Sequence, residues 1–114
     1  MTCGRGPRPE ELPSEVQWVT ADLSKRSAVD ELRTALVREF GTLDVLVNNS
    51  GVQIEKTVLE TTDEDWDMLM GVNAKGLFMT CRAMIPIMGQ NGTDGSIINI
   101  GSVSYTHLTL PTKA

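Results

Sequence analysis

Short apolar runs alternate along the chain with longer segments whose apolar residues recur every three or four positions. The short runs lie at 16–20, 43–47 and 97–100 and have the length of β-strands. The run at 43–47 is rich in valine and lies between Gly41 and Gly51, a pattern typical of a fully buried strand in a parallel sheet. The run at 97–100 predicts the next buried strand. Alternating strands and helices favour an α/β class with a doubly wound parallel sheet.

The first helical segment follows Ser24, whose hydroxyl can cap a helix N-terminus. Gly41 is expected to end that helix, since glycine readily adopts the left-handed conformation found after helices. Its apolar positions have helical spacing and are Val29, Leu32, Leu36 and Phe40.

A second, longer helix is predicted over 63–88. It starts with a capping-box pattern at Thr62 to Asp65. Its stripe comprises Trp66, Leu69, Met70, Asn73, Leu77, Cys81, Met84 and Ile85. Asn73 is the polar member and lies between Gly71 and Gly76, each of which weakens a helix by about 1 kcal/mol. This placement favours a functional role for Asn73, and the alternative is a helix asparagine bonded to backbone.

Polar residues directly follow the run at 43–47. Asn48, Asn49, Ser50 and Gly51 lie where the strand is expected to end, and ligands of parallel sheets bind at the carboxyl ends of strands. Burying two amides costs free energy unless each finds a hydrogen-bond partner. These asparagines therefore either tie neighbouring strands together or bind a ligand.

Composition narrows the functional classes. The 114 residues carry a net charge of −5 and no basic cluster, which argues against a nucleic-acid partner. No segment is long and apolar enough to cross a bilayer and no signal peptide is recognised, so a cytoplasmic location is expected. Cys3 and Cys81 have neither metal-ligand nor disulfide-framework spacing, so free thiols and no metal site are predicted.

Four segments together resemble one family. They are Asp22-Leu23 after the first apolar run, Asn48 to Gly51, Gly71 to Gly76 around Asn73, and Gly95 to Ser102. In this order and spacing the chain is similar to the short-chain dehydrogenase/reductase family, with Ser50 where the family has alanine. Within the family it most resembles 3-oxoacyl-[acyl-carrier-protein] reductases and sugar or alcohol dehydrogenases.

The resemblance implies a partial Rossmann-like sheet that lacks the first strand and everything after the fifth. Residues 1–102 would form the partial NAD(P)-binding domain. Residues 103–114 read as a non-native tail, because their sequence matches the translation of a transposon-end adapter used in sequencing libraries. In the sheet order 3-2-1-4-5-6 the first strand is central. The strands at 16–20 and 43–47 are therefore expected to face a gap, and the chain is not expected to form a stable monomer.

The family resemblance implies an NAD(P)-dependent oxidoreductase acting on a small carbonyl or secondary alcohol, as a homo-oligomer. Asn73 and Ser102 match its catalytic asparagine and serine. The catalytic tyrosine and lysine have no counterpart, because Tyr105 comes too soon after Ser102 and Thr109 stands where lysine is required. The chain alone is thus expected to be inactive. The alternative is a catalytically dead homologue that binds a partner through the helix at 63–88.

The cofactor contacts implied by the resemblance include Asp22, expected to contact the adenine ring. The full set is Arg5, Asp22, Leu23, Asn48, Ser50 and Gly51. Gly4-Arg5 resembles the end of the family's second strand, where an acidic residue selects NAD and an arginine suits the 2′-phosphate of NADP. NADP is therefore slightly favoured over NAD, and the alternative is that Arg5 is a solvated loop residue.

Overall fold

The computed structural model describes residues 1–90, 92 and 94–101. Ser102 and the tail predicted at 103–114 lie outside the described residues. The strands are β1 (Thr2–Gly4), β2 (Trp18–Thr20), β3 (Val45–Asn48) and β4 (Ser96–Asn99). The α-helices are α1 (Arg26–Phe40), α2 (Asp63–Met70) and α3 (Leu77–Met84). Short 3₁₀ turns cover Val58–Glu60 and Ile85–Ile87, and a π-helical turn covers Gly71–Gly76.

The strands form two separate parallel pairs. β1 pairs with β2, with Cys3 opposite Val19, and β3 pairs with β4, with Leu46 opposite Ile97. Parallel pairs need a crossover connection. The α2 to α3 segment supplies it for β3 and β4, residues 5–17 connect β1 to β2 without a helix, and α1 connects β2 to β3. The α/β class predicted from the alternating pattern is therefore confirmed.

Both strand pairs rest on one helical layer. Leu32 and Leu36 of α1, Met84 of α3 and Ile87 of the following turn form the buried cluster. Residues from both pairs pack against it, namely Met1, Cys3, Val19, Leu23, Leu43 and Leu46. A hydrogen bond from Arg33 Nε to the carbonyl of Ala83, 3.0 Å long, also joins α1 to α3. The shared layer holds the two pairs side by side without hydrogen bonds between the pairs in the described part of the chain.

The cleft between the pairs lies between β1 and β3. It has a volume of about 410 Å³, and Thr2, Cys3, Val45 and Val47 are among its lining residues. No residue of β2 lines it. The prediction that the strand at 16–20 faces the gap is therefore wrong: β1 separates β2 from the gap, as the sheet order itself requires.

The strands predicted to be fully buried are covered on one face only. Val45 and Val47 of β3 are 49% and 53% exposed, and Ile98 of β4 is 48% exposed. Successive side chains of a strand point to opposite faces, and here the helices cover one face. A parallel sheet normally has helices on both. The prediction of full burial for 43–47 and 97–100 is thus wrong.

The first helix ends as predicted but begins differently. Gly41 follows it with φ of +77°, and its N–H donates to the carbonyl of Val37. The N-cap is Lys25 rather than Ser24, and no side chain caps this end. The Ser24 hydroxyl instead donates to Asp22 Oδ1 at 2.7 Å. This charge-assisted bond orients the Ser24 side chain toward Asp22.

The helix predicted at 63–88 is interrupted. Thr62 caps it as predicted, accepting from the N–H of Asp65 at 3.1 Å. The π turn Gly71–Gly76 then separates α2 from α3. Hydrogen bonds of the i→i+5 type add a residue to the turn, so the residues that follow rotate to a different face.

This rotation explains why the predicted stripe is partly wrong. In α3 the structure buries Met79, Thr80 and Met84. Beyond the turn, the predicted stripe member Ile85 is 53% exposed. Trp66, which is 59% exposed, lies before the turn, in α2, where no residue is buried. A constant helical period cannot account for a face that changes at a π turn.

Candidate functional site

A cavity of about 270 Å³ opens at the carboxyl ends of β1, β2 and β3. Five of the predicted cofactor residues line it: Arg5, Asp22, Leu23, Ser50 and Gly51. They come from three separate chain segments, each just after a strand. The remaining lining residues are Cys3, Gly4, Ala21, Asn49, Val52 and Val72. This is the position at which open parallel sheets bind their ligands.

Asp22 is fixed in this cavity by Ser24. Its Oδ1 accepts hydrogen bonds from the Ser24 hydroxyl at 2.7 Å and the Ser24 N–H at 3.0 Å. These two bonds, the hydroxyl first, lower the pKa of the Asp22 carboxyl, and nearby Lys25 and Arg5 add to the effect. Among the described residues, no hydrogen bond reaches Oδ2. Asp22 therefore presents an ionised carboxylate with one oxygen free to accept from a ligand.

Replacing Ser24 by alanine is expected to raise the pKa of Asp22 toward its ordinary value, because the hydroxyl donor that favours the charged form is gone. The native pKa is depressed, so this group stabilises the fold above the unfolded-state pKa of about 3.9. That stability is lost as pH falls through the lower folded pKa. Ser24→Ala should therefore flatten the pH dependence of unfolding in this acidic window.

An NMR titration of the Asp22 carboxyl carbon measures the pKa directly. Ser27→Ala is the matched control, since Ser27 lies on α1 and makes no side-chain hydrogen bond to the described residues. An equal pKa in the Ser24→Ala and Ser27→Ala chains would disprove the assignment.

The two adjacent asparagines differ in what their side chains contact. The sequence left open whether they tie neighbouring strands together or bind a ligand. Asn48 Nδ2 donates to Asn99 Oδ1 at 3.0 Å and to Cys81 Sγ at 3.4 Å, so its side chain ties β3 to β4 and α3. Asn48 does not line the 270 Å³ cavity, whereas Asn49 does. Asn49 is not among the predicted cofactor residues. The sequence did carry a signal for this difference. Neighbouring side chains of a strand point to opposite faces, so Asn48 and Asn49 could not both face the same site.

Asn73 uses both ends of its amide on one residue of the loop after β3. Its Oδ1 accepts from the Val52 N–H at 2.8 Å, and its Nδ2 donates to the Val52 carbonyl at 2.9 Å. A Cβ added to Gly51 would lie 3.3 Å from Asn73 Oδ1, so the loop passes closely over this side chain. Asn73 thus fixes the Gly51-Val52 segment that lines the cavity.

An aspartate at position 73 could accept from the Val52 N–H but could not donate to the Val52 carbonyl. Alanine could do neither. Amide exchange at Val52 should therefore accelerate in Asn73→Ala, and each lost bond should cost about 1 kcal/mol. Asn73→Asp should retain the N–H bond and slower exchange. Equal Val52 exchange in the native and Asn73→Ala chains would show that the bonds contribute nothing.

The catalytic residues expected from the resemblance are not brought together in the described part. Asn73 is exposed on the π turn, and such turns are frequent at functional sites. Ser102, the other catalytic residue that the resemblance implies, lies outside the described residues, and its catalytic role stays a prediction.

The remaining predictions about the two thiols and about metals concern other parts of the chain. Cys3 and Cys81 are free thiols, and burial raises the pKa of the Cys3 thiol. Within residues 1–90, 92 and 94–101, His, Cys, Asp and Glu form no group of three suited to a metal ion. No helix in that part of the chain is long and apolar enough to span a membrane.

Residues 8–109 match the family model described as short chain dehydrogenase. The chain is 34% identical to a 3-oxoacyl-[acyl-carrier-protein] reductase of Thermotoga maritima, over 82% of the chain and 38% of that protein. It is 43% identical to the 2-(R)-hydroxypropyl-CoM dehydrogenase of Xanthobacter autotrophicus, over 79% of the chain and 37% of that protein.

The fold matches solved structures as well. The crystal structure of a putative short-chain dehydrogenase/reductase from Burkholderia xenovorans superposes with a TM-score of 0.71 and 29% identity, over 79% of this chain and 35% of that one. The chain therefore spans little more than a third of the length of the relatives it matches. With this match, the Rossmann-like fold class is confirmed. The family match, the relatives and the shared fold together show that the chain belongs to the short-chain dehydrogenase/reductase family of oxidoreductases.

Proposed function

We propose that residues 1–101 supply the adenosine half of an NADP(H) site in a longer oxidoreductase. The single observation that carries this proposal is the cavity in which Arg5, Asp22, Leu23, Ser50 and Gly51 converge from three chain segments. Family membership implies NAD(P) as the cofactor. The preference for NADP rests on Arg5.

Each lining residue has a chemical role in this site. The free Oδ2 of Asp22 accepts from the exocyclic amino group of adenine, while Ser24 keeps the carboxylate ionised. The guanidinium of Arg5 suits the 2′-phosphate of NADP, because its planar array of donors matches phosphate oxygens. Gly51 lets the ligand approach the backbone, which Asn73 holds in place. Asn48 acts from outside the cavity by fixing β3 to β4.

The bound nicotinamide supplies the hydride chemistry, and the protein orients it and handles the proton. Asn73 is a positioning residue in this scheme, since its side chain is committed to Val52. Ser102 polarises the carbonyl of a small-molecule substrate. We place the whole protein in the cytoplasm as a homo-oligomer, and the comparisons give no support to a catalytically dead interaction module.

The test uses the whole oxidoreductase and compares kcat/KM for NADPH and NADH. Arg5→Glu should reverse the preference by removing the phosphate contact and adding a negative charge. Arg38→Glu makes the same charge change on α1, away from the cavity, and should leave the ratio unchanged. A native preference for NADH would refute the role of Arg5.

Ser102→Ala separates catalysis from cofactor binding in the same protein. It should lower kcat with little change in cofactor affinity, whereas Asp22→Ala should weaken the cofactor with a smaller effect on kcat. If both variants only unfolded the protein, the two side chains would be structural.

A further inference from the structure

The indole of Trp18 lies against the backbone of Gly4, the residue directly before Arg5. Gly4 ends β1, and Trp18 begins β2, the strand paired with it. A Cβ added to Gly4 would lie 2.5 Å from Cη2 and 3.0 Å from Cζ2 of this indole. A real Cβ does not come so close to another side chain. The indole therefore occupies the space that any side chain at position 4 would need.

Hydrogen bonds hold the indole in place and connect it to Gly6, the residue directly after Arg5. The Trp18 Nε1–H donates to Thr20 Oγ1 at 3.2 Å, and the Thr20 hydroxyl donates to the Gly6 carbonyl at 3.1 Å. The backbone is thus fixed on both sides of Arg5, at Gly4 by the indole and at Gly6 by the Thr20 hydroxyl.

The indole belongs neither to the buried core nor to the lining of the 270 Å³ cavity. Cys3 and Val19 pack against the helical layer, so alternation along the strands places Trp18 on the opposite face. Gly4 and Arg5 line the cavity, whereas Trp18 does not. Any effect of the indole on a ligand therefore acts through the backbone of residues 4–6.

This arrangement bears on the choice between the two cofactors. Position 4 precedes Arg5 at the end of β1, where an acidic residue would bond the ribose hydroxyls of NAD. An aspartate there would have to displace the indole, which would then lose its hydrogen bond to Thr20. Trp18 thus opposes an acidic side chain at position 4 and, through Thr20, fixes the segment that carries Arg5.

We propose that Trp18 is a positioning residue that sets cofactor preference, because it keeps position 4 free of a side chain and holds Arg5 where the 2′-phosphate binds. This inference rests on the proposed NADP(H) site and adds to it a residue outside the cavity. Positions 4 and 18 should then be coupled, since a side chain at position 4 is unfavourable only while the indole is present.

Steady-state kinetics of the whole oxidoreductase with NADPH and with NADH test the proposal. Trp18→Leu should raise KM for NADPH about tenfold, the loss expected for one hydrogen bond between Arg5 and the 2′-phosphate. It should leave kcat and KM for NADH unchanged. Trp66→Leu is the matched control, since it makes the same change in α2 and should alter neither KM.

Thr20→Val is a second, milder variant. It keeps a β-branched side chain in β2 but loses the hydroxyl bonds to Trp18 and Gly6, so it should shift the preference in the same direction. If Trp18→Leu does not fold, an unchanged ratio of kcat/KM for NADPH and NADH in Thr20→Val would overturn the proposal.

A double-mutant cycle measures the coupling between positions 4 and 18. Gly4→Ala should raise KM for NADPH about tenfold in the native protein, by the same loss at Arg5. In the Trp18→Leu background the space is vacant, so Gly4→Ala should change this KM by no more than about twofold. Additive effects of the two substitutions would overturn the proposal, and so would an equal loss of kcat/KM for both cofactors in Trp18→Leu.

Arg5→Glu separates this inference from the proposed cofactor site. If Arg5→Glu reverses a native preference for NADPH while Trp18→Leu leaves the ratio of the two cofactors unchanged, only the role of Trp18 is refuted. A native preference for NADH would refute the proposed site and this inference together.

Discussion

Gly76→Val is expected to lower the free energy of unfolding by about 3 kcal/mol, because added carbons here meet backbone atoms that cannot move aside. A Cβ on Gly76 would lie 2.8 Å from the Leu23 carbonyl oxygen and 3.3 Å from that of Gly71. Gly76 is buried where the π turn crosses the Asp22-Leu23 segment, which lines the proposed cofactor cavity. Folded chains are only marginally stable, so this loss is large.

Gly71→Val is the matched control, since Gly71 lies on the same turn and a Cβ there would meet only Ser24 Cβ, at an ordinary 3.8 Å. Its effect should stay below about 1 kcal/mol, the range of helix propensities. Urea denaturation in trimethylamine N-oxide, which favours the compact state, measures both variants. Equal losses of unfolding free energy in the two variants would show that the close contact between Gly76 and the Leu23 backbone does not limit stability.

The 114-residue polypeptide on its own is expected to show no hydride transfer. General acid catalysis contributes about 10²- to 10⁴-fold. The family's catalytic tyrosine and lysine have no counterpart here, since Tyr105 comes too soon after Ser102 and Thr109, not lysine, follows it by four residues. The measurement follows NADPH and NADH absorbance with a panel of ketones and thioesters. The 3-oxoacyl-[acyl-carrier-protein] reductase of Thermotoga maritima serves as the positive control.

Turnover above the blank would contradict this prediction only if the chain itself, and not a contaminating enzyme, catalyses it. The Asp22→Ala variant provides that check, because a contaminating reductase would be unaffected by a substitution in this polypeptide. Activity that falls with Asp22→Ala would show that the chain is a complete catalyst.

The sequence predicted those features that depend on neighbouring residues. Gly41 ends α1, and Thr62 with Asp65 caps α2, because each signal acts within a single turn. The order of strands and helices could be predicted because short apolar runs mark strands, whereas apolar residues every three or four positions mark helices. The predicted cofactor residues could be grouped because each lies at or just after a strand end, and five of the six line one cavity.

The features that were missed depend on competition and on contacts distant in sequence. Ser24 had two possible partners, and only the structure shows that Asp22 takes its hydroxyl. The glycines at 71 and 76 marked a weak helix, but not that it becomes a π turn that moves Met79 and Thr80 inward. Burial of Val45 and Val47 needs a second covering layer, which a strand's own composition does not reveal.

The most direct test of the proposed adenosine site is an NMR titration of the whole oxidoreductase with adenosine 2′,5′-bisphosphate, with AMP as the matched ligand lacking the 2′-phosphate. The bisphosphate should shift the amides of Arg5, Asp22, Leu23, Ser50 and Gly51, and AMP should bind more weakly. Arg5→Glu should remove the difference between the two ligands while the chain stays folded. A folded chain whose cavity amides do not shift, or shift equally with both ligands in the native and Arg5→Glu proteins, would contradict an NADP(H) site built on Arg5 and Asp22.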